Sequence, residues 1–169
     1  MRIRGKNVSL YVMAKRLASQ LPLIGRREKV SFPGLGLTDV TAKIDTGAYS
    51  CSLHARVLHL EEGENGTFVV FEPLGKKNKL RNILPVTLPV LRMKKVKSSN
   101  GLAQSRIFVS IPLQIGPYLV ETAFGLTDRS AMKTTVLLGR KILSERFLVD
   151  VSRSHLLTSK NKKAKKNRR

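Results

Sequence analysis

The sequence predicts an all-β barrel or sandwich-like fold, and three observations predict it. Short runs of β-branched and aromatic residues recur at close spacing, as in Thr67–Phe71 and Ile107–Ile115. Turn signals separate them: Pro33-Gly34-Leu35-Gly36, Asn65-Gly66, Ser98-Ser99-Asn100-Gly101 and Gly116-Pro117. Helical spacing is confined to one short segment before Pro22 and one late turn or two after Gly139. At 169 residues with 41% hydrophobic content, the chain is one domain's worth and can bury a core.

Leu10, Met13, Ala14, Leu17 and Leu21 recur at helical spacing, with Lys15, Arg16 and Gln20 opposite them, so a short amphipathic helix is expected before Pro22. From Leu23 the pattern turns to β. Glu28–Phe32 and Val40–Ile44 read as strands around the Pro33–Gly36 turn, Ser50–Leu53 as a short strand, and Thr67–Phe71 as a strand opened by Asn65-Gly66. Gly75–Arg81 is a basic loop. Ile83–Met93 alternates like a strand, but Pro85 and Pro89 make it an edge or break it. The Ser98–Gly101 turn joins a strand ending near Val96 to one starting at Arg106, and Gly116-Pro117 joins Ile107–Ile115 to Tyr118–Leu126. A polar loop, Thr127–Thr134, leads to Val136-Leu137-Leu138-Gly139-Arg140. Lys141–Glu145 is a helical turn or two, and Phe147–Asp150 and His155–Thr158 are closing strands. The expected organisation is a basic extension with its helix at 1–22, one β domain at 23–158 and a disordered basic tail at 159–169.

The formal net charge is +21, and the tail's seven Lys/Arg account for a third of it, so +14 remains on the body. Such a body implies an anionic partner: nucleic acid, a ribosome, an anionic surface or an acidic polypeptide. No apolar run reaches transmembrane length. Arg2, Arg4 and Lys6 ahead of Val8–Ala14 resemble the start of a secretory signal, but Lys15-Arg16 interrupt it and no clean cleavage site follows. The expected compartment is the cytoplasm, which suits a chain with one cysteine.

The alternating run Val40, Ala42, Ile44 delivers Asp45 into Thr46-Gly47-Ala48. Thr46 can hydrogen-bond backbone locally, and Gly47 permits positive φ or the close passage of another chain, so the carboxylate is presented on a tight turn. Cys51-x-x-His54 with His59 nearby could supply metal ligands. No second CxxC and no HExxH helix accompanies them, and structural roles are the expectation. There is no nucleotide-type glycine loop.

The Asp-Thr-Gly-Ala turn, a later hairpin, and an apolar-apolar-Gly-Arg segment opening a short helix together resemble the retropepsin-like aspartic proteases. Ile24-Gly25-Arg26-Arg27-Glu28, Lys43–Ala48, Leu53-His54-Ala55, Asp128-Arg129, Leu137-Leu138-Gly139-Arg140 and Phe147-Leu148-Val149-Asp150 bring the likeness closer to one bacterial family. This is the retropepsin-like endopeptidase family historically labelled ATP-dependent zinc proteases, and the resemblance spans about Leu23 to Leu157. It implies a retropepsin-like barrel, catalysis by Asp45 with Thr46 and Gly47, and structural support from Leu138, Gly139 and Arg140. It also implies a flap at about Lys94–Arg106, with Ala48, Asn100 and Gly101 touching substrate. Tyr49 stands where retroviral relatives carry an acidic partner for the late Arg, so Arg140 needs another, with Asp128 and Asp150 as candidates. One Asp-Thr-Gly per chain implies a homodimer. Nothing in the residues calls for zinc or a nucleotide, and no cofactor is expected.

The resulting expectation is an aspartic endopeptidase acting on acidic or ribosome-associated polypeptides. Relatives in the resembled family are linked with the enzyme that adds glutamates to a ribosomal protein. The alternative is a non-catalytic basic module that binds nucleic acid or an acidic protein through the tail, the Gly75–Arg81 loop and Lys94–Lys97. A metal-dependent hydrolase using Cys51, His54 and His59 is a third possibility.

Overall fold

The computed structural model describes residues 21–73, 84–97 and 103–157. The helix expected before Pro22, the Gly75–Arg81 loop, the Ser98–Gly101 turn and the basic tail lie outside these residues. Asn100 and Gly101 therefore lie outside them too. Within them, the strands are β1 (Leu23–Gly25), β2 (Arg27–Phe32), β3 (Leu37–Ile44), β4 (Cys51–Gly63), β5 (Gly66–Pro73) and β6 (Val86–Pro89). They continue as β7 (Arg92–Lys97), β8 (Ala103–Ile115), β9 (Tyr118–Thr127), β10 (Val136–Leu138) and β11 (Leu148–Asp150), with one short helix, α1 (Arg140–Leu143).

Six strands close on themselves. The hydrogen-bonded order β10-β3-β2-β8-β9-β4 returns to β10, because β10 pairs with both β3 and β4. The result is the retropepsin-like barrel, whose closure removes the exposed edges an open sheet would leave. The β5 and β6 strands continue the sheet outward from β4, while β7 pairs along the first half of β8. Inward-facing residues alternate along the strands: Val30 and Phe32 on β2, and Val109, Ile111, Leu113 and Ile115 on β8, are buried in one core. Phe32 and Phe124 meet edge to face inside it, centroids 5.4 Å apart.

Three elements differ from the sequence reading, and in a fourth the structure decides between the edge and the break that the prolines left open. The short strand expected at Ser50–Leu53 runs on to Gly63, because its second half pairs with β5 through a two-residue turn at Glu64-Asn65. Ile83–Met93 is split: β6 ends at Pro89 and β7 begins at Arg92, as the prolines and the missing ladder donors require. Residues 155–157 of the expected closing strand His155–Thr158 form no strand, and 156–157 are turn. His155 has φ 59°, its N–H goes to the Arg27 carbonyl, and the Leu156 N–H goes to Glu28 Oε1, so these donors serve no ladder. Leu23–Gly25 is a strand of its own, pairing in parallel with β11.

Candidate active site

Strand β10 lies between β3 and β4, parallel to the first and antiparallel to the second. Two loops therefore cross at one point. The turn after β3 carries Asp45, and the segment after β10 carries Gly139 and Arg140. The Asp45 N–H donates to the Leu138 carbonyl at 2.9 Å, and the Arg140 N–H donates back to the Ala48 carbonyl at 2.8 Å. The Lys141 N–H adds a third tie, to the Tyr49 carbonyl at 3.0 Å. Leu138 and Gly139 thus pack beneath the Asp-Thr-Gly-Ala turn, buried, and hold it from below.

Asp45 is presented on the surface side of this crossing, its side chain 24% exposed. Its Oδ1 accepts the N–H groups of Gly47 at 3.1 Å and Ala48 at 3.3 Å, and its Oδ2 accepts from Lys43 Nζ at 3.0 Å. Burial pushes the carboxyl pKa up. The Lys43 hydrogen bond and charge, with the two backbone amides, outweigh that and leave it below the ordinary 3.8. In a single chain the carboxylate is therefore ionised near neutral pH. Gly47 needs no positive φ, since among the described glycines only Gly36, Gly66 and Gly116 have one. A Cβ on Gly47 would meet only Asp45 Oδ1, at an ordinary 3.4 Å.

Arg140 finds its partners in neither Asp128 nor Asp150. Its guanidinium donates to the Thr46 and Gly47 carbonyls at 3.0 and 2.8 Å and lies 5.9 Å from the centre of the Tyr49 ring. The helix α1 starts at Arg140 directly beneath the turn, so its side chain reaches the turn's carbonyls before any carboxylate. Asp150 instead binds Arg153 and Ser152, which pull its pKa down to about 2. Asp128 faces His54 and the Ser130 N–H.

The residues of the metal reading diverge. His54 is buried and its Nδ1 accepts the Arg129 N–H at 2.9 Å, whereas His59 is exposed and meets Glu61 at 2.8 Å. Cys51 is buried in the core, and burial pushes its thiol pKa up. Among the described residues no three His, Cys, Asp or Glu side chains come together as metal ligands.

Two basic residues act on or feel Asp45, Lys43 and Arg129, and a third, Arg106, acts on Arg129; none was among the expected site residues. Lys43 sits two positions before Asp45, on the same side of the strand, and that spacing could have revealed it. Arg129 and Arg106 come from the 128–135 loop and from β8, and no local pattern links them to Asp45. Desolvation lowers the pKa of the Arg129 guanidinium, the Arg106 charge acts the same way, and the Asp45 charge opposes both. Around the expected flap, β7 and β8 pair from Arg92↔Phe108 to Lys97↔Ala103, and its tip lies outside the described residues. No helix among the described residues is long and apolar enough to cross a membrane.

The profile of a family described as RimB-like, retropepsin-like aspartic endopeptidase RimB, matches residues 23–160. A protein of Shewanella halifaxensis named probable alpha-L-glutamate ligase is 34% identical over 139 residues, covering 82% of this chain and 30% of that protein. A protein of the same name from Parasynechococcus marenigrum is 32% identical over 135 residues, covering 80% of this chain and 29% of that protein. The chain thus spans less than a third of the length of these curated relatives. The crystal structure of a Legionella pneumophila protein of unknown function matches with a TM-score of 0.67 at 24% identity, over 80% of this chain and 98% of that one. At that identity the likeness speaks for the fold.

Proposed function

The chain belongs to the RimB-like family of retropepsin-like aspartic endopeptidases, and on that premise we propose that it hydrolyses peptide bonds through a dyad of Asp45 carboxylates, one from each of two copies. The observation that carries the reading is the crossing of the two loops. It holds the Asp45 carboxylate outward, on two backbone N–H groups, with Leu138 and Gly139 locked beneath it.

The chemistry follows from placing two such carboxylates together. At close range both cannot ionise, so the pair holds one proton and titrates as a unit. The ionised member takes a proton from a water, which attacks the scissile carbonyl, while the protonated member polarises that carbonyl. Thr46 and Gly47 are exposed, and bare Gly47 leaves room for a second turn to pass. In this arrangement Thr46 braces the two turns, Ala48 lines the cleft, and the β7–β8 hairpin, with Asn100 and Gly101 near its tip, closes over substrate.

The substrate reading is an acidic or ribosome-associated polypeptide. The +21 charge supports it, as does the glutamate chemistry named for the longer relatives. A cytoplasmic site of action, no resident cofactor, and boundaries at about 23 and 158 belong to the same reading. The direct test replaces Asp45 with Asn and assays cleavage of candidate acidic peptides, with a pepstatin-type inhibitor alongside. General acid–base catalysis is worth about 10²–10⁴-fold, and a loss of that size is expected. Undiminished cleavage by the variant would sink the proposal.

One observation favours a second reading. In a single copy Lys43 neutralises Asp45, and among the described residues no second carboxyl hydrogen-bonds to it. Such a copy is a basic module that binds nucleic acid or an acidic protein without cutting. Strict monomers at assay concentration, with salt-sensitive RNA binding, would select it.

A further inference from the structure

A cleft of about 420 Å³ opens beside Lys43, the residue whose ammonium holds Asp45. Five cations line it: Arg26, Arg27, Lys43, Arg129 and Lys133. A second cleft of about 380 Å³ shares Arg27, Lys133 and Thr134 with the first and continues the groove past Thr41.

Two features separate this groove from a solvated basic face. Arg27 on β2 stands directly opposite Lys43 on β3 in the antiparallel register, so both side chains leave the same face of the sheet. Like charges directly opposed across a strand pair destabilise it, and an anion lying over them reverses the sign. The second feature is Arg129, which is half-buried while its Nε donates to the Thr134 carbonyl at 3.1 Å. That bond fixes the guanidinium plane at the cleft wall, where its fork suits a carboxylate. A partly desolvated cation gains more from an anion than one in bulk water does.

We infer that this cleft is a carboxylate subsite beside the reacting Asp45. It seats a peptide carboxylate on Arg27, Arg129 and Lys133, either an acidic side chain or the C-terminus, and so selects which peptide bond reaches Asp45. The selection of a bond rests on the peptidase reading; the binding of the carboxylate does not. A nucleic-acid strand fits the cleft less well, because its apolar lining is Ile44 and Met132, without a ring on which a base could stack.

The test uses the full chain, with Asp45→Asn in every variant so that binding is read without cleavage. Three labelled hexapeptides are titrated: one carrying glutamates, its glutamine isostere, and the glutamate peptide with an amidated C-terminus. The parent is expected to bind the glutamate peptide at least tenfold more tightly than the isostere where a side chain occupies the subsite, or than the amidated peptide where the C-terminus does. Arg27→Gln with Lys133→Gln abolishes that preference, and Arg27→Lys retains it. An amidated peptide that binds as well as the free acid assigns the subsite to side chains; loss of binding on amidation assigns it to the C-terminus. Removing one of two opposed cations relieves repulsion, so melting no lower than the parent's checks that the variants fold.

Three results overturn the inference: a glutamate preference that survives the double variant, equal weakening of all three peptides, or an RNA oligonucleotide that binds more tightly than the peptides with the same dependence on Arg27 and Lys133. In Asp45-intact protein, the double variant raises KM for the glutamate peptide at least tenfold while kcat changes less. If binding follows the expected pattern and no peptide is cut, the peptidase reading fails and the subsite stands.

Discussion

Gly139 lies so close beneath the Asp45 turn that a Cβ on it would sit 2.6 Å from the Ser50 carbonyl oxygen. The Ala48 carbonyl oxygen would be 2.8 Å away, and both obstacles are backbone atoms. No real Cβ tolerates such contacts, so Gly139→Ala must push the Asp45 turn off its support. Overpacking of this kind costs about 1–3 kcal/mol. The variant is expected to lose that much stability in urea denaturation, and to lose peptidase activity out of proportion to it. Native stability with full activity would contradict the crossing of the two loops.

Lys43→Gln removes the chief opponent of burial at Asp45, so the carboxyl pKa is expected to rise. A ¹³C NMR titration of Asp45 reads it directly. The sign for stability follows from linkage. A carboxyl whose folded pKa lies below its ordinary 3.8 contributes stability that is present above that value and lost as pH falls through the folded pKa. The stability lead of the parent over Lys43→Gln should therefore grow as pH rises through the acid range and flatten above it. A constant lead at every pH would show that Lys43 does not act on Asp45.

Arg140→Gln takes away the fork that donates to the Thr46 and Gly47 carbonyls. The side chain is exposed, so the expected loss of stability is small, about 1 kcal/mol. The turn carrying Asp45 is freed at its outer edge, and kcat should fall more than KM rises. Arg140→Lys restores the charge without the planar fork and should recover only part of kcat.

Glu28 is fully buried, and its Oε1 accepts the N–H groups of Gly25 and Leu156, each at 2.8 Å. It ties the start of the barrel to the last described segment. Glu28→Ala leaves two amides without their acceptor, and an unsatisfied buried group costs about 1–3 kcal/mol. Glu28→Gln keeps an oxygen in place and should be the milder change. Thermal melts of the two variants measure the difference.

The legible parts of this protein are those written in neighbouring residues. Period-two alternation at Val40–Ile44 gave the strand into Asp45, and Gly116-Pro117 gave the turn between β8 and β9. The length of β4 was readable in principle, since the Asn65-Gly66 hairpin signal demands an incoming strand as well as an outgoing one. His155–Thr158 misled because apolar residues near the end of a chain look the same whether a ladder or a buried carboxylate takes up their N–H groups.

By itself the sequence determined the all-β class, the positions of the Asp-Thr-Gly-Ala turn and the Leu-Leu-Gly-Arg segment, and the family they resemble. All of these depend on residue type and on spacing along the chain. Only the tertiary structure decided that Arg140 binds the carbonyls of the turn that carries the Asp45 carboxylate. It alone brought Arg26, Arg27, Arg129 and Lys133 into one groove beside that carboxylate. These are distances between residues far apart in sequence, set by strand register and by the closure of the barrel, and no local pattern encodes them.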